Sequence, residues 1–443
     1  MSVRPLEAAR LVRPFGTLAF DAIRVPANNS GMQRRALLAV LITSLTLAPG
    51  SSPHDAALGS KAAREAPLAR KLARALALPG LDRARSGALA LDMRTGQVVF
   101  AANATRPLAP ASVEKLTVTY AALVALGPAF RFHTEVLARG TQAARTWHGD
   151  LVVRGYGDPT LSSADLASLA RSVRAAGIRV VRGRVLGDEA FFDARRTAPG
   201  WKSYYYRYEC APLSALIADR AVFRGTITPW PAAAAAAVFK RELEARGVKV
   251  MGRARATRAP IRVARVLGTV ESPPLWKVLR FMDHESDNLT AELVLKQLGA
   301  LFGRAGATAA GAAVVHQLLG ADGIPLDGVK IVDGSGLSRL DRLTAKSLTR
   351  LLQTAWSSPQ LRKAFLAVLP VAGRNGTLSS RLRGRATRGR VSAKTGTTLI
   401  SSALAGYVNG HYAFAILNNG SPVDAWRARM AQDRFVTVLA RAG

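Results

Sequence analysis

Three short polar motifs, spread over most of the chain, constrain its fold more than any apolar run does. Ser112-Val113-Glu114-Lys115 comes first, Ser286-Asp287-Asn288 begins 174 residues later, and Lys394-Thr395-Gly396 begins 108 residues after that. A hydroxyl and an amine at i and i+3 share one face of a helix, so Ser112 and Lys115 can touch. A serine hydroxyl is a weak nucleophile until a base takes its proton, and a lysine is that base only when neutral. Burial and a second cation nearby both favour the neutral amine, and Lys394 can supply the cation. The chemistry requires a fold that sets a helix turn near one end of the chain against a strand near the other.

The other two motifs fit that requirement. In a strand, Lys394 reaches into a cleft, Thr395 faces the other way unless the strand twists or bulges, and Gly396 lets a substrate backbone approach closely. Ser286 and Asn288, at i and i+2, suit a turn entering a helix, where Ser286 can relay a proton and Asn288 can hold an amide carbonyl. Ser-x-x-Lys arises by chance ~0.7 times in such a chain, whereas Lys-Thr-Gly and Ser-Asp-Asn each arise well under about 0.1 times. The three together, in this order, carry the signal.

Between the motifs the chain alternates strand-like and helix-like segments without a repeat of fixed period. Residues 87–92 and 97–101 are predicted strands around an Arg94-Thr95-Gly96 turn. Pro107 and Pro110 break the chain, and Leu116, Tyr120, Leu123 and Leu126 follow at helical spacing, which puts Ser112 in the first turn of a buried helix. Helices are expected at 164–176, at 232–246 and from near Asn288. Residues 390–393, 403–409 and 411–417 read as antiparallel strands, and 423–442 as an amphipathic helix. The fold expected is α+β, with a sheet built from both ends of the chain. Residues 54–131 and 271–443 would form that domain, and 132–270 an inserted α/β domain.

Ser-x-x-Lys, Ser-Asp-Asn and Lys-Thr-Gly in this order mark class A β-lactamases and penicillin-binding proteins. Within that group the chain resembles the D-alanyl-D-alanine carboxypeptidase/endopeptidase family, the class C low-molecular-mass penicillin-binding proteins, from about Gly87 to its end. The resemblance rests also on Gly155-Tyr156-Gly157-Asp158-Pro159, Gly187-Asp188-Glu189 with Phe192-Asp193, Gly200-Trp201, and Ser214-Ala215-Leu216. Further along it rests on the run from Asp333 to Arg339 and on Gly376-Thr377-Leu378. One departure is visible: relatives usually carry a longer β-rich stretch after Ser-Ala-Leu, whereas Asp219 to Trp230 leads quickly into an alanine-rich helix.

The resemblance implies a β-lactamase/transpeptidase-like fold, an antiparallel sheet flanked by helices plus a helical subdomain, with an inserted domain. It implies that Lys115 takes the Ser112 proton and that Ser112 attacks the carbonyl between the last two D-alanines of a peptidoglycan stem peptide. The backbone N–H groups of Ser112 and Thr397 would hold the oxyanion, and Ser286 would return a proton to the leaving amine. Lys394 and Thr395 would hold the substrate carboxylate, with Asn288 and Gly396 completing the site and Arg339 meeting the stem's acidic side chain. β-Lactam antibiotics are then expected as covalent inhibitors, and endopeptidase action as a companion activity. Class A β-lactamases place a deacylating glutamate between the second and third motifs. Here Glu292, on the helix that the second motif starts, is the last glutamate in the chain, which argues against penicillin hydrolysis.

Charge and the chain's first residues bear on partners and compartment. The 62 Lys+Arg against 29 Asp+Glu give a formal charge of +33, a field that concentrates anions such as wall polymer or an anionic membrane surface. No recognition helix or aromatic stacking motif supports nucleic acid. Arg381, Arg383, Arg385, Arg388 and Arg390 make a basic stretch just before the third motif, either a solvated loop or a contact with anionic wall polymer. His284-Glu285 starts like a zinc His-Glu-x-x-His helix, but Asn288 stands where the second ligand is needed, so neither metal nor cofactor is expected. Cys210 is the only cysteine and cannot form an internal disulfide. Arg34-Arg35 precede a 12-residue apolar run, short of the roughly 20 needed to span a membrane. Residues 1–53 thus read as a leader and secretory signal, with Met32 a more ordinary start and the periplasm or cell-wall space the destination. A rival reading keeps the fold but makes the chain a non-catalytic, basic wall-polymer-binding protein.

Overall fold

Strands Ser401–Val408 and Tyr412–Asn419 are buried along nearly their whole length, as antiparallel strands are when both faces of the sheet are covered. Alternate residues feed two cores. Ala403, Ala405, Tyr407, Ala413, Ala415 and Leu417 face a helical half. Leu404, Val408, Phe414 and Ile416 face a layer that includes the first helix, Pro67–Leu76, and the last, Ala425–Ala442. The structure is a computed structural model describing residues 67–259 and 264–443. The expected leader and signal at 1–53, and residues 54–66, lie outside the described residues.

The sheet runs Val391–Thr397, Ser401–Val408, Tyr412–Asn419, Ser86–Asp92, Val98–Ala102, with every neighbour antiparallel. The predicted hairpin is therefore stitched to the C-terminal strands, Ala90 opposite Phe414. This leaves the strand carrying Lys394, Thr395 and Gly396 at one edge, with its free side toward the helical half. In that half the helix Lys115–Ala125 is apolar nearly all round and almost wholly buried, as a helix surrounded by other elements must be. It packs in one core with helices Leu275–His284, Asn288–Phe302, Thr308–Ala321 and Ala345–Ser357.

A second, seven-stranded sheet comes entirely from strands between His133 and Glu271. Its antiparallel hairpin His133–Ala143 and Thr146–Gly155 continues into parallel pairing with Val185–Asp188 and then Ala254–Thr257. Helices Ser163–Ala175 and Pro231–Glu244 supply its core with Leu166, Leu169, Ala235 and Phe239. Where relatives were expected to be β-rich, the chain has one two-stranded ribbon, Val222–Phe223 with Thr226–Ile227. A separate apolar cluster ties Phe192, Cys210, Leu213 and Ile217 to Leu289, Leu293 and Leu337, so the segment leaving this sheet packs on the helix that begins with Asn288.

Two local expectations differ from what is found. Ser112 lies on a 3-10 turn, Ala111–Glu114, and the α-helix begins only at Lys115. The helix Pro67–Leu76 was not expected, because its stripe of Leu68, Leu72 and Leu76 is short and set among basic residues; its partner, the last helix, comes from the far end of the chain. No helix among the described residues is long and apolar enough to cross a membrane.

Candidate active site

The approach to Ser112 is pinned to the sheet before the reactive turn starts. Asn419 Oδ1 accepts from the Ala109 amide at 2.8 Å, and the Ala109 carbonyl accepts from Ser401 Oγ at 2.6 Å and Asn419 Nδ2 at 3.0 Å. Ala111 then turns through a left-handed conformation, φ 49°, which costs a non-glycine residue of order 1–3 kcal/mol unless its surroundings impose it. They do so from two sides. A Cβ on Gly336 would sit 1.9 Å from the Ala111 carbonyl oxygen, and one on Gly396 would sit 2.8 Å from the Ser112 nitrogen. The glycine of the third motif thus admits the nucleophile's own turn, where sequence reasoning expected the approach of a substrate backbone.

Lys115 is fully buried, and its amine has three oxygen partners: Ser112 Oγ at 3.0 Å, Asn288 Oδ1 at 2.8 Å and the Ser335 carbonyl at 2.7 Å. Two of these can only accept. A neutral amine with two N–H donors satisfies both and turns its lone pair to the Ser112 hydroxyl. Burial pushes Lys115 below its ordinary value, while Asp333, Asp287, Asp283 and Glu292 pull it back. Asp283, Glu292 and Asp333 belong to a buried acidic layer. Glu292 Oε1 accepts from the Gly334 and Ser335 amides at 3.0 and 2.8 Å, which holds the loop whose carbonyl meets Lys115. Asp333 accepts from the Gly336 and Ser338 amides and from Trp201 Nε1, each at 2.7 Å. Burial, with the charge of Asp333, pushes Glu292 up to about 8.

A second serine and lysine face the first pair. Ser286 also sits at positive φ, 57°, and Asp287 caps the next helix by accepting from the Thr290 amide at 2.8 Å while pairing with Arg220. Lys394 is fully buried and donates to Ser286 Oγ at 2.8 Å and to the Thr395 carbonyl at 2.9 Å. Burial, and next the charge of Lys115, push it down to about 7, with Asp283 opposing. Sequence reasoning assigned Lys394 the task of lowering Lys115, yet the repulsion falls on Lys394, because Lys115 has the carboxylates around it.

Ser112, Ser286, Thr395 and Thr397 line one cleft of about 550 Å³. Thr395 Oγ1 donates to or accepts from Thr377 Oγ1 at 2.8 Å. The edge strand therefore turns both threonines to the cleft and keeps Lys394, the residue before them, buried beneath it. Two of the expected site residues sit apart from these four. Asn288 faces Lys115 with its oxygen and donates its Nδ2 to the Glu209 carbonyl at 2.9 Å, so both ends of its amide are engaged by protein. Arg339 is exposed and lines a separate small cavity with Lys202 and Tyr205, which reaches the Ser112 turn at Ala111 and the end of the edge strand at Thr398.

The cleft also contains groups that sequence reasoning left out: Thr377, Arg381, Trp426, Arg429 and Asp433. Arg381 is committed to Asp433 at 2.7 Å. Arg429 is exposed and donates to Thr397 Oγ1 at 3.2 Å, with no carboxylate partner among the described residues. Thr377 had a signal in its Gly-Thr-Leu setting; Arg429 had none, since only tertiary packing brings the last helix to the edge strand. Among the described residues no group of three or more His, Cys, Asp or Glu side chains is arranged to hold a metal ion. Cys210 is buried, which pushes its thiol up.

A serine on a buried lysine, facing a second such pair across the edge of a five-stranded sheet, places the chain among the penicillin-binding serine enzymes. The chain belongs to the D-Ala-D-Ala carboxypeptidase 3 (S13) family, whose model matches residues 68–233 and 229–442. It is 31% identical to a D-alanyl-D-alanine carboxypeptidase of Actinomadura sp. (strain R39) and 34% identical to carboxypeptidase DacB of Mycolicibacterium smegmatis, in each case over 90% of this chain and 88% of the relative. The fold is similar to the crystal structure of penicillin binding protein 4 (dacB) from Haemophilus influenzae, with a TM-score of 0.75 at 22% identity, covering 84% of this chain and 98% of that one.

Proposed function

We propose that this chain is a serine D-Ala-D-Ala carboxypeptidase, and also a DD-endopeptidase, that acts on peptidoglycan stem peptides through an acyl-enzyme on Ser112. The observation that carries the reading is the Lys115 amine 3.0 Å from Ser112 Oγ with its other two partners both carbonyl oxygens. Lys115 takes the hydroxyl proton as Ser112 Oγ bonds to the carbonyl carbon, and the Ser112 and Thr397 amides hold the oxyanion. Losing one such donor typically costs ~2.7–4 kcal/mol of barrier. As the C–N bond breaks, Ser286, hydrogen-bonded to Lys394, passes a proton to the leaving amine. Water then hydrolyses the ester and restores Ser112.

The substrate carboxylate needs a cation that reaches solvent. The ammonium of Lys394 is buried and already donates to two oxygens, so the direct contact falls to Thr395, Thr397 and the guanidinium of Arg429, which suits a carboxylate. Lys394 then acts as a positioning and proton-relay group. Asn288 likewise positions Lys115, and Arg339 stands beside the Ser112 turn, in the small cavity that Ala111 and Thr398 also line.

A β-lactam presents the same carboxylate and a reactive amide, so it acylates Ser112. The one carboxylate lining the cleft, Asp433, is paired with Arg381, and Glu292 lies in the buried layer beneath Lys115. Neither supports rapid hydrolysis of that acyl group, which argues against a β-lactamase. Residues 132–270 serve as an accessory lobe whose exit segment supports Asn288. The enzyme works outside the cytoplasmic membrane, where its substrate lies, carried there by the segment read as a signal. Fluorescent penicillin should label the wild type and fail to label Ser112→Ala, and digestion of purified muropeptides should release one alanine; equal labelling of both proteins removes Ser112 from this role.

A further inference from the structure

The Ser112 cleft continues along the last helix. Trp426, Arg429, Met430 and Asp433 line the cleft, and Asp433 also lines a larger groove, about 1180 Å³, whose helix wall goes on through Arg434, Thr437 and Arg441. Positions three or four apart lie on one helix face, so a single face serves both spaces. The opposing walls are the first helix, through Lys71 and Arg74, and the loop before the third motif, through Arg385 and Arg390. The groove thus absorbs part of the arginine-rich stretch and the unexpected N-terminal helix, neither of which the Ser112 site uses.

Its charge sets it apart even on so basic a chain. Six of the 16 lining residues are cations, against 62 of 443 overall. The single acidic side chain, Asp433, is held by Arg381. None of the six cations belongs to an ion pair among the described residues. Like charges lining a concave surface raise the local concentration of anions, and five of the six are guanidiniums, which take carboxylates in paired hydrogen bonds.

We propose that this groove holds the acceptor strand of a peptidoglycan cross-link and so favours endopeptidase over carboxypeptidase cleavage. The inference rests on the Ser112 reading. The two reactions differ only in the leaving group. In both, the amide C–N bond breaks, the acyl carbon bonds to Ser112 Oγ, the amine leaves with a proton, and water later frees the acid. In carboxypeptidase cleavage the amine is that of D-alanine, which ends at the carboxylate contacts of Thr397 and Arg429. In cross-link cleavage it belongs to a second stem peptide, which carries further carboxylates and must leave the cleft on that same side. The groove begins there. A flat anionic bilayer does not enter a space walled by two helices and a loop, whereas an acidic peptide does.

The test compares one full-length variant, Arg385→Ser/Arg390→Ser/Arg434→Ser, with the wild type on two substrates: a purified cross-linked muropeptide dimer and an uncross-linked pentapeptide monomer. The expected result is a fall of about tenfold or more in kcat/KM for opening the dimer, with alanine release from the monomer and penicillin labelling within about twofold. Loss of three charge-assisted contacts leaves room for that drop after solvent screening. Dimer opening that is unchanged, or that falls in step with monomer trimming while penicillin labelling stays intact, overturns the proposal. Should the triple variant not fold, salt titration of the wild type decides: dimer opening must weaken more steeply than monomer trimming between about 50 and 200 mM salt, and parallel responses overturn it. A wild type that trims neither substrate sinks the Ser112 reading, whereas one that trims monomers while the variant still opens dimers sinks only the groove.

Discussion

The two serine–lysine pairs use the same parts in different electrostatic settings. Ser112 and Ser286 each follow or occupy a left-handed turn, and each is hydrogen-bonded to the amine of a fully buried lysine. Lys115 sits over Glu292, Asp333 and Asp283, whose charges oppose its loss of a proton. Lys394 has Asp283 against it but feels Lys115 as a like charge, and it falls to about 7. The lesson is that burial alone does not set a lysine's role. The carboxylates oppose loss of a proton from Lys115, whereas the like charge of Lys115 favours its loss from Lys394.

The sharpest way to break this comparison is to remove each half. Lys115→Met should lower the rate of penicillin acylation by about 10²–10⁴-fold, the span of a lost general base. Ser286→Ala should lower peptide turnover substantially while sparing acylation by a β-lactam more, because the amine expelled from a β-lactam stays tethered to the acyl group. Stopped-flow acylation alongside D-alanine release separates the two. Equal losses in both assays from both variants would make the pairs one indivisible unit and void the distinction.

The substrate's carboxylate sharpens the same contrast, since Lys394 is too enclosed to meet it. Arg429→Gln should reduce kcat/KM on a D-Ala-D-Ala peptide by about 10–100-fold, as expected for a charge-assisted contact of ~1.5–3 kcal/mol. Activity on the C-terminally amidated peptide should change little. A preference for the free carboxylate that survives in Arg429→Gln would return the contact to Lys394 and the two threonines.

pH reads the shared protons directly. With Lys394 at about 7, acylation should climb by roughly tenfold per pH unit below that value and level off above it, because the reactive form has one proton fewer. A flat profile from pH 5 to 8 would mean that neither amine titrates in that range.

The sequence carried the pairing of Ser112 with Lys115 because their contact is local, three residues along one turn. It carried the sheet built from both chain ends because apolar runs of strand length, joined by short turns, lie near both ends. It did not carry the reason for Gly396, whose missing side chain makes room for the Ser112 nitrogen, since that contact joins segments remote in sequence. Arg429 and the helix Pro67–Leu76 were hidden for the same reason. Glu114 shows a different limit: inside the first motif it reads as a polar helix residue, yet it is fully buried and pushed well above its ordinary value by burial and by Asp333. Periodicity finds apolar faces and is blind to a buried acid.

The smallest effect concerns that acidic layer. Glu292 Oε1 accepts two backbone N–H groups while Oε2 is buried without a hydrogen-bond partner, and the folded carboxyl sits at about 8 against an ordinary 4.5. Between those values the folded chain binds more protons at this position than the unfolded chain does. The stability it contributes is therefore fully present below about 4.5 and is lost as pH rises through about 8. Glu292→Gln keeps the acceptor for Gly334 and Ser335, supplies a neutral group of the same shape, and cannot ionise. Its melting temperature relative to the wild type should thus rise from pH 5 to pH 8, by a few degrees, while Lys115 and the Ser335 carbonyl stay in register and penicillin labelling persists. A difference in melting temperature that is the same at both pH values would mean that Glu292 is ionised in the folded state throughout, and that the layer beneath Lys115 acts as fixed negative charge.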